Sequence, residues 1–260
     1  MDSDRLLPLE GVHNFRDYGG YALASGGRLK RGILWRSGQH HEASDADIAA
    51  IAGLGLSDVF DLRSDRERQS HPCRRPIGFT GEIHIVSDGS LNTAPHIAAI
   101  AGTRRDAETT RANMITSYRG IPYRPKLIEM VRNMLLRISQ GEGASLVNCM
   151  AGKDRTGFAV AMLHHALGVH QDDIMADYLL TNSAGDQAAR LASGQRTVSS
   201  TLGEIDEAAL KVLMGVEAGY LDNAFAAITE NQGSLDAYQT EFLGVDEKLR
   251  DQLRDRLSEG

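Results

Sequence analysis

Cysteine is scarce in this sequence. Only Cys73 and Cys149 occur among 260 residues, so no disulfide framework can be read, and two free thiols fit a reducing compartment. There is no apolar run of the roughly 18 residues that a membrane helix requires, so no membrane insertion is expected. The opening MDSDRLLPLEGVHN is acidic and lacks the apolar stretch of a secretory signal. The expected compartment is the cytoplasm. Basic charge is in deficit: 28 Lys and Arg face 35 Asp and Glu, for a net charge of −7. That excludes a general nucleic-acid binder, which needs a basic surface to release counterions. It leaves open a local basic pocket for a small anion. No internal repeat and no long Pro/Ser/Gly linker divides the chain, so a single domain over 1–260 is expected.

Hydrophobic residues make up 42% and charged residues 24%, a globular composition. "NFRDYGGYALASGGRLKRGILWRS" (14–37) alternates short β-like pieces with glycine turns, as a hairpin would. Ser44 suits a helix N-cap, and Asp47 three residues on resembles a capping box. Ile48, Ile51 and Leu54 then follow at helical spacing. Strands are expected at 57–64, 82–87 and 144–149. Helices are expected from Pro125 to a stop near Gly141, and over 155–168. Strands alternating with helices predict an α/β fold with a mainly parallel sheet. Residues 90–113 are polar and patternless. Residues 183–203 are rich in Ser, Ala and Gly and read as either a lid beside the site or a surface excursion. Leu249, Leu253 and Leu257 mark an amphipathic helix at the end.

The chemistry concentrates in "VNCMAGKDRTG" (147–157). Cys149 ends a predicted strand and a helix starts a few residues later. Amides turned inward over 150–155, the helix N-terminus and the Arg155 guanidinium all favour a thiolate. Together they suit the nucleophilic form of the thiol. A thiolate within a ring of N–H donors is a nucleophile facing a phosphate cradle. The cradle comprises Met150, Ala151, Gly152, Lys153, Asp154, Arg155 and Thr156. Arg155 offers a planar fork that matches two phosphate oxygens while sulfur attacks in line. Gly152 allows close backbone approach. The Thr156 hydroxyl can donate to the departing thiolate, and Lys153 adds charge at the rim. The leaving oxygen needs a proton. Asp154 and Asp88 are candidate acids, with Asp61 and Asp65 as outsiders. The string is not a Walker loop, because Val147 stands where that motif needs glycine and Asp154 where it needs Ser or Thr.

The motif resembles the signature of cysteine-dependent tyrosine phosphatases. More narrowly, it resembles the atypical bacterial tyrosine/serine phosphatases whose loop reads HCxAGKDRTG. "NFRDYGGY", "GRLKRGILWRSGQH", "LGLSDVFDLRSDRER" and "DYLLTN" resemble that family's segments in the same order. The resemblance implies a phosphatase-type sheet flanked by helices, with a helical lid corresponding to 183–230. It implies a phosphocysteine intermediate and neither metal nor cofactor. By motif match Cys149 is the nucleophile and Arg155 the clamp, and Asp154 is favoured over Asp88 as acid. The implied substrates are phosphorylated proteins or phosphoinositides. The sequence departs from the family at Asn148, where the family has histidine. That loss of charge suits a weaker thiol and leaves a phosphate-binding module as the alternative. Arg16, Asp17, Arg36 and Arg63 could brace the loop or line the pocket, and Asp61 with Arg63 could form a structural pair. His164 and His165 lack metal spacing and suit packing. His40-His41-Glu42 suits a solvated loop, and Cys73 an inert one.

Overall fold

A computed structural model describes residues 4–87, 106–202 and 205–260. Five strands form one sheet: β1 (Arg16–Asp17), β3 (Leu34–Ser37), β4 (Leu56–Asp61), β5 (Glu82–Ile85) and β6 (Ala144–Asn148). Their spatial order is β1-β3-β6-β4-β5. β3, β6, β4 and β5 run parallel, and β1 is an antiparallel edge. β6 lies in the middle, and all five of its residues are buried. That is the pattern of a parallel strand covered on both faces.

The pleat sorts neighbouring residues onto opposite faces. Leu146 of β6 pairs with Val59 of β4 and joins Phe15 and Ile51 in a small core. Helix α1 (Asp45–Ala52) supplies Ile51. Val147 pairs with Phe60 and joins the main core with Leu34, Met134 and Phe158. Helices α4 (Pro125–Gln140) and α5 (Asp154–Ala166) cover that second face.

Local signals placed several boundaries. Ser44 and Asp47 form the expected reciprocal capping box. α4 starts with Pro125 in its first turn and is capped by Gly141. Leu249, Leu253 and Leu257 are buried along α11 (Glu247–Leu257).

Other expectations change. The 14–37 segment is no simple hairpin. β1 pairs with β3, while β2 (Arg28–Leu29) pairs with β7 (Ser258–Glu259) from the far end of the chain. Helix α3 (Ala107–Gly120) begins within the stretch that read as patternless. α2 (Asp65–Ser70) follows β4, and α6 (Gln171–Leu179) follows α5. The Ser/Ala/Gly-rich segment is mostly helix, α7 (Gln187–Leu202). Helices α8 (Glu207–Met214), α9 (Ala218–Gln232) and α10 (Leu235–Leu243) come next. No described helix is long and apolar enough to cross a membrane.

Candidate active site

The C-terminal ends of parallel strands are where open α/β sheets gather ligands. β6 ends there at Asn148, and Cys149 follows with 2% exposure. The chain turns through Met150–Lys153, and α5 begins at Asp154. Gly152 makes the turn with φ at +67°. A side chain there would also be blocked, because a Cβ would lie 2.4 Å from the Ser37 carbonyl carbon and oxygen.

The back of the loop is tied to the scaffold. Asn14 Nδ2 donates to the Gly152 carbonyl at 2.7 Å, and Arg36 Nη2 donates to it at 3.0 Å. The Gln39 amide donates to the Met150 carbonyl at 3.0 Å. Asp177, on α6, anchors these braces. It takes Arg36 Nη1 at 2.6 Å and Arg16 Nε at 3.4 Å. All three side chains are fully buried or nearly so. Burial alone would raise the Asp177 pKa, but Arg16 and Arg36 hold it below the usual carboxylate range. Burial, with Arg36 nearby, lowers Arg16 to about 10. Arg16 and Arg36 therefore brace, whereas Asp17 instead serves the β1–β3 edge, where it binds Arg31 and the Gly19 and Gly32 amides.

Arg155 is fixed by a partner the motif does not contain. Its Nη1 and Nη2 donate to Glu67 at 2.7 and 2.8 Å, and Nη1 also reaches the Leu62 carbonyl at 3.1 Å. Burial disfavours the charge, yet the Glu67 carboxylate raises the Arg155 pKa above its ordinary value. The opposite edge of the planar guanidinium, Nε with the outer hydrogen of Nη2, presents a second parallel fork away from Glu67. Glu67 sits at N3 of α2 and also accepts the Ser64 amide in a capping box. The pattern S-x-x-E in "SDRE" was a legible signal for that cap. Its second duty, 88 residues away, was not.

Lys153 does not lie at the rim. It is 1% exposed, and Nζ donates to the carbonyls of Leu213 and Gly215 at 2.7 and 3.1 Å, at the end of α8. Burial lowers its pKa, against the Asp154 charge 3.2 Å away. Asp154 also accepts from Tyr118 Oη at 2.7 Å. Thr156 Oγ1 is buried and makes no hydrogen bond among the described residues. Asn148 Nδ2 donates to Asp61 Oδ1 at 3.4 Å, so it binds a strand-end carboxylate instead of the loop backbone. Asp61 is forked to Arg63 as the expected structural pair. Asp65 is engaged by Arg68 and by Ser87. Asp88 lies outside the described residues.

His164 packs, and its Nε2 donates to the Tyr18 carbonyl at 2.8 Å. His40 is buried between Ser37 and Arg75, not solvated. Cys73 Sγ accepts the His40 amide at 3.2 Å. Asp58, Glu82 and His84 have ligand atoms within 4.8 Å of one another. Arg137 already bonds both carboxylates there, and the cluster lies towards the opposite end of the strands from the loop. Arg190 of α7 is buried and donates to the Thr181 carbonyl.

A mainly parallel sheet whose central strand opens into a glycine turn, cysteine before it and arginine after it, defines a phosphatase-type α/β protein. Over residues 7–259 the chain matches the tyrosine phosphatase family, and it belongs to that family. It is 36% identical over 243 residues to a provisionally named tyrosine-protein phosphatase of Cupriavidus necator, covering 92% of this chain and 85% of that one. It is 31% identical over 262 residues to the triple specificity protein phosphatase PtpB of Mycobacterium tuberculosis, covering 88% and 91%. The chain is therefore a phosphatase.

Proposed function

We propose that this phosphatase hydrolyses phosphotyrosine-type monoesters, and phosphoserine and phosphothreonine as well, through a phosphocysteine intermediate. The observation that carries the reading is the Arg155 guanidinium, held flat by Glu67 beside the strand-end cysteine. Cys149 attacks phosphorus in line, forming the P–S bond as the P–O ester bond breaks. The outer fork of Arg155 holds the equatorial oxygens. With the Met150 and Gly152 carbonyls tied behind the loop, its amides are turned towards the phosphate. Asp154 gives its proton to the leaving oxygen. It then takes one from the water that attacks phosphorus, and the P–S bond breaks to regenerate the thiolate, to which Thr156 donates.

Residues 183–230, as α7, α8 and part of α9, form the lid of one domain over 1–260. The carbonyls that bind Lys153 support this placement. The breadth of substrate follows the name of the Mycobacterium tuberculosis relative. Phosphoinositides, the other substrates that the resemblance implies, gain no rim charge from Lys153, which is buried.

The test is p-nitrophenyl phosphate hydrolysis from pH 4.5 to 9 with chelator present. Turnover is expected in the wild type and none in Cys149→Ser, which should still bind phosphate. Phosphate binding without wild-type turnover at any pH would replace the enzyme mechanism with a binding module.

A further inference from the structure

The Asp154 carboxylate is served by a chain of buried phenols. Tyr178, on α6, donates to Tyr118 Oη at 2.6 Å, and Tyr118, on α3, donates to Asp154 Oδ1 at 2.7 Å. The Lys153 ammonium lies 3.2 Å from the same Oδ1. Both tyrosines are 1% exposed. Their rings meet edge to face at 73°, and the Tyr118 ring also packs on Tyr220 of α9, with centroids 5.4 Å apart. A buried phenol needs a hydrogen-bond partner. Here two phenols satisfy each other, and the chain ends on the carboxylate.

We propose that Tyr118, polarised by Tyr178, is a positioning residue for Asp154: it commits Oδ1 to accepting, so the acid proton rides on Oδ2 and passes from there to the leaving oxygen. This rests on Asp154 being the acid of the proposed reaction. The physical argument has two parts. A proton on Oδ1 would point into the hydrogens of Tyr118 and Lys153, so the donors select both the carboxyl rotamer and the protonated oxygen. Donors to a carboxylate also favour its ionised form. They therefore set the pH at which the acid is exhausted. A donor that itself accepts a hydrogen bond donates more strongly, which gives Tyr178 its part.

The titratable groups that act on or with Asp154 come from several elements. Lys153 and Arg155 come from the loop and α5, and Arg124 from the turn before α4. The phenols Tyr118, Tyr178 and Tyr220 come from α3, α6 and α9. Burial, reinforced by the Asp154 charge, holds Tyr118 and Tyr178 well above the ordinary phenol pKa. Both hydroxyls thus remain protonated donors throughout the range in which a phosphatase works. Arg155 and Lys153 are cationic neighbours that a phenylalanine at position 118 would leave in place.

The experiment compares kcat/KM against pH for wild type, Tyr118→Phe, Tyr178→Phe and Asp154→Asn. It uses phenyl phosphate, whose leaving group needs a proton, and p-nitrophenyl phosphate, whose leaving group needs it less. Phenylalanine keeps the ring packing, and melting temperatures check the fold. In Tyr118→Phe the basic limb is expected to move up by about one pH unit, because Asp154 loses a donor to its ionised form. Hydrolysis of phenyl phosphate should fall about 10-fold more than that of p-nitrophenyl phosphate. Tyr178→Phe should move both in the same direction by less. An unmoved basic limb with equal losses on both substrates would reduce Tyr118 to packing and overturn the proposal. Asp154→Asn separates the two failures. If it erases the basic limb while Tyr118→Phe leaves that limb in place, only the positioning role is lost. If it keeps the limb and the leaving-group dependence, Asp154 is not the acid and both readings fall.

Discussion

Glu67 shows how one side chain can be placed by local chemistry and used by distant chemistry. At N3 of α2 its carboxylate accepts the Ser64 amide, and the same group forks onto Arg155. Glu67→Gln keeps a residue that can close the capping box but removes the charge facing the guanidinium. We expect kcat/KM to fall by about 10²-fold, as for a misplaced catalytic group, with α2 intact by circular dichroism and with weaker phosphate binding by calorimetry. Unchanged catalysis would show that Arg155 is held by its backbone and the Leu62 carbonyl alone. Lys153 makes the complementary point. Its charge was legible in the motif, but its direction was not, because the accepting carbonyls lie 60 and 62 residues further on.

Between elements, the decisive contact is the turn after β6 against the end of β3. Gly152 holds a positive φ, and the Ser37 backbone fills the space a side chain would need. Gly152→Ala therefore combines left-handed strain with a clash against backbone, which cannot swing aside as a side-chain tip can. The expected cost is about 1–3 kcal/mol from the strained conformation alone, with the clash in addition. Thermal unfolding with and without phosphate measures both effects. The wild type should gain stability from phosphate and the variant should gain little. The glycine was recognised in the sequence for close approach, but the sequence placed that approach at the ligand. The fold shows a second reason, on the scaffold side of the loop.

Across the whole molecule, Asp177 joins β1, β3, α6 and the loop through Arg16 and Arg36. Two buried cations share one carboxylate, so Asp177→Asn leaves both uncompensated. The cost should be about 3–5 kcal/mol at neutral pH, as for other broken buried pairs, read by urea unfolding. Its pH dependence follows from the lowered folded pKa. The ionised carboxylate contributes fully above the ordinary aspartate value of about 4 and loses that contribution as pH falls towards the lowered folded value. The gap between wild type and Asp177→Asn should therefore be constant from pH 5 to 8 and narrow below about pH 4. A gap that widened on acidification would show that Asp177 is not held ionised by its arginines.

The amino-acid sequence by itself determined what depends on neighbours within a few residues: the capping box at Ser44 and Asp47, the helix opened by Pro125, and the strand ending just before Cys149. It also determined the spacing of cysteine and arginine across one turn, because loop, strand and helix there are contiguous. Only the tertiary structure decided which partners hold those groups. Glu67, Asn14, Arg36 and Tyr118 reach the loop and its helix across long chain separations, with Asp177 and Tyr178 behind Arg36 and Tyr118. β2 found its partner at the opposite end of the chain. Hydrogen bonding and charge pairing in a buried site depend on distances of a few ångströms, and those distances exist only once the sheet and its covering helices have packed.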